Sequence, residues 1–279
     1  MRTRALALPA LFLLAACSKK PPAVWSEPHG EPAPSAIAPA STDAAVGPAS
    51  DVITTALGDV KITPLNHATM LLTVKGAAIY VDPTTKAKYD GLPKADVVFI
   101  TDVHQDHLDP EGLARVARPD TVIVAPPAVV EKLPAGSKNV ITMKNGEQTA
   151  AKAPVSPALG PAFGVEAVPM YNLTRGPAPG KLFHDKGRGN GYVLTFGDKR
   201  FYVSGDTECT PEMKALTNID VAFVCMNLPY TMPPSEAAAC VAAFKPKVLY
   251  PYHYRGQKPE EAKATVEAAG VELRLREWY

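Results

Sequence analysis

An apolar run, Ala95-Asp96-Val97-Val98-Phe99-Ile100, gives way abruptly to Thr101-Asp102-Val103-His104-Gln105-Asp106-His107-Leu108-Asp109, and no other feature constrains the chain as tightly. The run reads as a buried strand, and Pro110 to Val116 after it as a helix. Imidazoles and carboxylates are thus packed into a strand-to-helix turn, where several side chains can converge on one point. His and Asp are good ligands for zinc and similar divalent ions. Two of the six histidines sit in this turn, which packing alone would not load with polar groups. A plain helix cap explains Asp109, the N-cap before Pro110. It does not explain His104, Asp106 and His107, which point to metal binding.

With 279 residues the chain is long enough for one sizeable domain plus appendages. Its 46% hydrophobic and 20% charged residues are ordinary for a globular protein. A formal net charge of +1 supplies no global field to recruit nucleic acid, and none is expected as a partner.

Residues 1–17 have the form of a targeting segment. Arg2 and Arg4 supply the positive start and Ala5 to Leu14 the apolar stretch, too short for a comfortable membrane span. Leu14-Ala15-Ala16-Cys17 then resembles a bacterial lipobox, which implies lipidation of Cys17 and a protein held on the membrane without crossing it. The alternative is a plain secretory signal with a chance cysteine. Residues 18–50 are rich in Pro, Ala and Ser without apolar periodicity, and read as a disordered tether with a solvated His29. The expected place is the bacterial cell envelope, on the periplasmic side or at the outer membrane. Beyond Cys17 stand Cys209, Cys225 and Cys240. Their odd number suggests no disulfide framework. Cys225 reads as a core thiol, and Cys209 as an inert thiol or, less simply, a ligand.

The folded domain is expected over 51–279. Val52 to Leu57, Val60 to Leu65, Thr69 to Val74 and Ala77 to Val81 read as successive strands. After the central turn come strands at Thr121 to Ala125 and Val140 to Met143, with a short helix near Ala128 to Leu133 between them. Val165 to Pro169 is a further strand, and Tyr171 to Asn190 a long glycine-rich loop of the kind that is functional or mobile. A hairpin is predicted over Tyr192 to Phe196 and Arg200 to Val203. Helices follow at Pro211 to Leu216, Glu236 to Phe244 capped by Ser235, and Pro259 to Ala269. Strands are expected at Val221 to Met226, Val248 to Tyr250 and Val271 to Arg276.

The turn at Asp102 to His107 resembles the H-x-H-x-D-H metal motif of the metallo-β-lactamase superfamily, with Asp102 standing where the first histidine usually stands. The resemblance runs with interruptions from about His67 to the C-terminus, and looks nearest to the ascorbate-phosphate lactonase-like and N-acyl-phosphatidylethanolamine phospholipase-like branch. It implies an α/β fold, the four-layer αββα sandwich, and two divalent metal ions, zinc first, with manganese or iron open. It also implies roles for residues elsewhere. Asp82, after Ile79-Tyr80-Val81, resembles the first motif and would orient a ligand histidine; as a bare sequence it is equally a turn residue before Pro83. His67, in Asn66-His67-Ala68, could touch substrate or support the site, or simply be satisfied by backbone. Relatives place a ligand histidine soon after the strand ending at Pro169. Here Asn172 holds that place and His184 is the nearest histidine, so either His184 reaches back or the first site lacks a protein ligand there. Lys186 and Arg188 flank His184 and could bind an anionic substrate, or be solvated. Ser204-Gly205-Asp206-Thr207 resembles the bridging-carboxylate motif, and His253 in Pro251-Tyr252-His253 the last ligand.

The resemblance groups Asp102, His104 and His184 at one ion, and Asp106, His107 and His253 at the other, with Asp206 bridging. It implies a metal-bound hydroxide attacking an ester, lactone, amide or phosphodiester centre of a small-molecule or lipid-like substrate, with Asp106 orienting water or accepting a proton. Two other classes remain open: a degenerate surface-anchored binding module without turnover, and a structural lipoprotein in which a metal only holds the domain together. Asp102 and Asn172 are the residues that favour the binding module.

Overall fold

The computed structural model describes residues 50–149 and 155–279. The expected targeting segment with Cys17, and the expected tether with His29 up to residue 49, lie outside the described residues.

Seven strands form the first sheet in chain order: β1 (Asp51–Thr55), β2 (Gly58–Asn66), β3 (Thr69–Val74), β4 (Ala77–Val81), β5 (Val97–Phe99), β6 (Val122–Ala125) and β7 (Val140–Thr142). β1 to β4 pair antiparallel, then β4 to β7 parallel. The second sheet has six: β8 (Phe163–Met170), β9 (Gly189–Phe196), β10 (Lys199–Val203), β11 (Val221–Cys225), β12 (Val248–Tyr252) and β13 (Glu272–Leu273). It repeats the plan, antiparallel through β8, β9 and β10 and parallel from β10 to β13.

Side chains on a strand alternate between faces, and the sequence assigns each face a layer. Met70, Leu72, Ile79, Val81, Val97 and Phe99 join the residues of the second sheet in one large core. Their neighbours Leu71, Ala78, Tyr80, Val98 and Ile100 face the other way, onto Leu113 and Val116 of α1 (Pro110–Val116) and Val129 of α2 (Pro127–Val130). Strands buried on both faces read as continuous apolar runs. On the far side of the second sheet lies α4 (Pro234–Phe244), whose Phe244 ring meets Tyr202 of β10 at 6.0 Å. The result is the αββα sandwich. Helix α1 lies so close to the backbone before it that a Cβ on Gly112 would sit 2.4 Å from the Cα of Thr84.

Several expectations are corrected. Ser235 lies inside α4, whose N-cap is Pro233 without a side-chain bond; the Pro233-Pro234 pair sets the entry dihedral, so the helix starts earlier than a hydroxyl cap suggests. The final helix is a 3-10 turn (Pro259–Ala262) running into α5 (Lys263–Ala268). The last strand shrinks to Glu272–Leu273, because beyond it Arg276 turns to Asp51 at 2.8 Å and Leu275 is exposed. Cys209 is not a free thiol: it forms a disulfide with Cys240 of α4, their Cα atoms 5.6 Å apart. Parity does not forbid one pair with Cys225 left over, and residues 31 apart give no sign of adjacency in sequence.

Candidate metal centre

The candidate residues stand where strands end. Asp82 follows β4, the His104 turn follows β5, Asp206 follows β10 and His253 follows β12. Open α/β sheets present such side chains beyond the carboxyl ends of parallel strands. His67 occupies the β2–β3 turn. His67, Asp82 and His253 all have positive φ, at 54°, 44° and 50°, a conformation that costs a residue with a Cβ about 1–2 kcal/mol. Surrounding hydrogen bonds hold it at His67: His67 N donates to Trp278 O (2.8 Å), and its carbonyl accepts from His253 N (3.2 Å). Leaving the strand dihedral turns these side chains off the sheet faces.

Two of the candidate histidines, His107 and His184, are each fixed through one ring nitrogen. His107 Nδ1 donates to Asp82 Oδ2 at 2.7 Å, while Asp82 also accepts from Thr101 N (2.8 Å) and Thr101 Oγ1 (2.6 Å). Asp82 is therefore an orienting carboxylate and not merely a turn residue. His184 Nδ1 donates to Asn172 Oδ1 at 2.7 Å, and His184 N donates to the same oxygen at 2.8 Å. Asn172 in turn donates through Nδ2 to Glu208 Oε1 (3.1 Å) and Tyr230 O (2.8 Å). Asn172 at the end of β8 thus aims His184 into the centre. The sequence leaves Asn172 looking like a lost ligand; the signal for its true place, an amide oxygen 2.7 Å from an imidazole nitrogen, exists only in three dimensions.

The other nitrogens converge. His107 Nε2, His184 Nε2, His253 Nδ1 and Asp206 Oδ1 are buried polar atoms with no hydrogen-bond partner. His107 Nε2 and His184 Nε2 each lie 3.4 Å from Asp206 Oδ2, and His253 Nδ1 lies 3.4 Å from Asp206 Oδ1. A buried polar atom without a partner is costly, and several aimed at one place are what a cation would satisfy. Among the described residues, three groups have donor atoms within 4.8 Å of one another: Asp102, His104 and His184; His107, Asp206 and His253; His67, Asp106 and His253. Asp206 lies between the first two groups, so it is positioned to serve both. His67 joins the second cluster through Asp106 Oδ2, which is 3.2 Å from His67 Nε2 and 3.3 Å from His253 Nε2.

Electrostatics follow the charges. Burial works against ionisation of Asp206, but the imidazoles of His253 and His107 outweigh it and hold its carboxyl well below the usual range. Burial likewise disfavours charge on His107, and the carboxylates of Asp206 and Asp82 overcome it, holding its imidazole well above the usual range. Burial dominates at His67 and lowers it to about 4, so this ring is neutral at ordinary pH.

Lys186 and Arg188 are engaged within the protein instead of facing a ligand. Lys186 Nζ pairs with Glu212 Oε1 at 2.5 Å and lies 4.8 Å from the Tyr171 ring. Arg188 binds Asp102 through one guanidinium edge, Nε and Nη2 each donating to one carboxylate oxygen. Where that loop runs into β9, two glycines serve packing: a Cβ at Gly189 would strike Met170, and one at Gly191 the Ser204 carbonyl. The cavity over the centre, about 570 Å³, is bordered instead by Phe183, Leu228, Tyr230 and Arg255, none of which carries a motif in sequence.

The family model for the β-lactamase superfamily domain matches residues 61–253, and the chain belongs to this superfamily of metal-dependent hydrolases. A UPF0173 metal-dependent hydrolase of Koribacter versatilis is 30% identical over 233 residues, covering 77% of this chain and 95% of that one. A crystal structure from Parabacteroides distasonis, provisionally described as a metal-dependent hydrolase, is 40% identical with a TM-score of 0.73, covering 83% of this chain and 99% of that one. A metallo hydrolase from Ignicoccus hospitalis is 25% identical with a TM-score of 0.63, covering 78% and 95%.

Proposed function

We propose that this metal-dependent hydrolase uses two divalent ions, zinc first, to cleave an ester, lactone or phosphodiester bond, and that it works from the bacterial envelope. The observation that carries the reading is the set of partnerless buried atoms on His107, His184, His253 and Asp206, converging beneath an open cavity. His107, Asp206, His253 and Asp106 would hold one ion, and His104, His184 and Asp102 the other, with Asp206 shared. Ions bound there supply Lewis acidity and bring the pKa of water towards neutrality.

The remaining work falls to side chains. The Asp106 side chain is partly exposed, and its Oδ2 lies between the rings of His67 and His253. It is placed to orient the attacking water and receive its proton. His67, neutral and stacked on His253 with ring centroids 3.7 Å apart, is tied at Nδ1 to Tyr279 Oη at 2.7 Å. A neutral ring held between a carboxylate and a phenol fixes the Asp106 carboxylate and can relay a proton between the two. The cavity wall of Phe183, Leu228 and Tyr230 suits an apolar portion of substrate, and Arg255, shared with an adjoining cavity beside Asp106, suits an anionic portion. A lipid-like substrate has both. The Cys209–Cys240 disulfide supports an exported protein, since such bonds persist in oxidising compartments. A binding module without turnover is the second reading, favoured by the capture of Asp102 by Arg188.

Lactone, carboxylic ester, phosphodiester and lipid head-group substrates, assayed with zinc-loaded full-length chain, test the proposal. One class should turn over, and Asp106→Asn should lower kcat by at least about 100-fold, the scale of general acid–base contributions. No turnover in a chain that holds metal would establish the binding module instead.

A further inference from the structure

Asp102 is a carboxylate at a place where a neutral imidazole is usual, and it is completely buried. Arg188 meets it edge-on: Nε donates to Oδ1 at 3.0 Å and Nη2 to Oδ2 at 2.9 Å. The loop delivering Arg188 is pinned on its far side. Asn190 N donates to the carbonyl of Thr101, the neighbour of Asp102, at 2.9 Å, and Asn145 Nδ2 donates to Gly189 O at 2.8 Å. The bidentate pair is therefore built into the backbone and is not a chance surface contact.

Asp102 is not turned away from the centre by this pairing. Its Oδ2 remains 2.9 Å from His104 Nδ1 and 3.9 Å from His184 Nε2, the latter a buried atom without a hydrogen-bond partner. A carboxylate oxygen has lone-pair capacity for a guanidinium N–H and a second partner together. His184 Nε2, held in place by Asn172, faces Asp206 Oδ2 at 3.4 Å as well as Asp102 Oδ2, so the guanidinium leaves a carboxylate-lined place for a cation beside it. The formal charge of Asp102 and Arg188 together is zero, that of the neutral histidine they replace.

Resting on the metal-dependent reading above, we propose that Asp102 and Arg188 act as one neutral ligand unit. Asp102 Oδ2 is the donor to the ion, alongside His104 and His184. Arg188 is a positioning residue that cancels the carboxylate's charge and fixes its plane. The two positions are then coupled: restoring histidine at 102 while Arg188 remains leaves an uncompensated cation beside the bound ion.

The test is zinc binding by the full-length chain after chelator stripping, read as equivalents per chain by plasma mass spectrometry, with folding checked by thermal melting. The wild type should bind two equivalents. Asp102→His should retain one. Asp102→His combined with Arg188→Gln should recover the second, a rescue that a merely structural salt bridge would not give. If Asp102→His does not fold, the double variant decides, since it must still match the wild type at two equivalents. Two tightly held equivalents in Asp102→His alone, or one in the double variant, would overturn the coupling. A single equivalent in the wild type would show that the guanidinium replaces an ion, overturning this inference and the two-ion count while leaving metal-dependent hydrolysis through the His107, Asp206 and His253 site standing. No zinc in the wild type would overturn both.

Discussion

At the scale of the residue, the centre is built by partners that are not themselves ligands. Asn172 holds His184 through two hydrogen bonds to one amide oxygen, and Asp82 holds His107. Losing such orienting partners typically costs 10–100-fold in metal affinity or activity. Asn172→Ala should therefore weaken zinc binding by roughly 10–100-fold without changing the number of sites. His184→Ala should remove about one equivalent and lower turnover by at least about 100-fold, on the scale of lost ligands and their supports; equilibrium dialysis and steady-state kinetics check both. Full metal with only a raised KM would instead make His184 a substrate contact. The aspartates and histidines of the Asp102 to His107 turn are legible in sequence because packing gives no reason to place them there. Lys186 and Arg188 are not legible: a basic, glycine-rich loop looks the same whether its charges face a ligand or, as here, Glu212 and Asp102.

At the scale of the element, period-two apolar runs disclose most of the strands, and the first four are recovered almost residue for residue. Failures gather where local signals compete with tertiary contacts. Val271 to Arg276 has strand character, but only Glu272 and Leu273 find partners on β12 at the sheet edge. Helices α2, α3 and α5 are shorter than their patterns, with α3 (Pro211–Lys214) a single turn held by Thr210, whose Oγ1 accepts from Met213 N at 3.1 Å. The disulfide compensates for that brevity. It ties Cys209, three residues past Asp206 and one before the α3 cap, to the long helix α4. Replacing both cysteines by serine should destabilise the fold by about 2–4 kcal/mol and lower Tm by roughly 5–15 °C. A melt unchanged by reductant and by the double substitution would show that the bridge carries no such load.

At the scale of the whole molecule, two sheets of similar plan meet so that the ends of their parallel strands share one rim, and both supply the centre. The first sheet gives Asp82 and the His104 turn, the second Asp206 and His253. That arrangement is legible only through resemblance, because residues as far apart as His67 and His253 carry no mutual mark in sequence. The proposed envelope anchor belongs to this scale as well: the full-length chain should fractionate with membranes, and Cys17→Ser should release it or block its processing. A wild-type protein recovered wholly soluble and without lipid would contradict the anchor and leave the centre untouched.

The centre itself is tested most directly by an anomalous difference map, collected at the zinc edge from crystals of zinc-loaded protein. The account predicts a peak bounded by His107, Asp206 and His253, and a second bounded by Asp102, His104 and His184. Zinc bound elsewhere, or no peak among these residues, would contradict it.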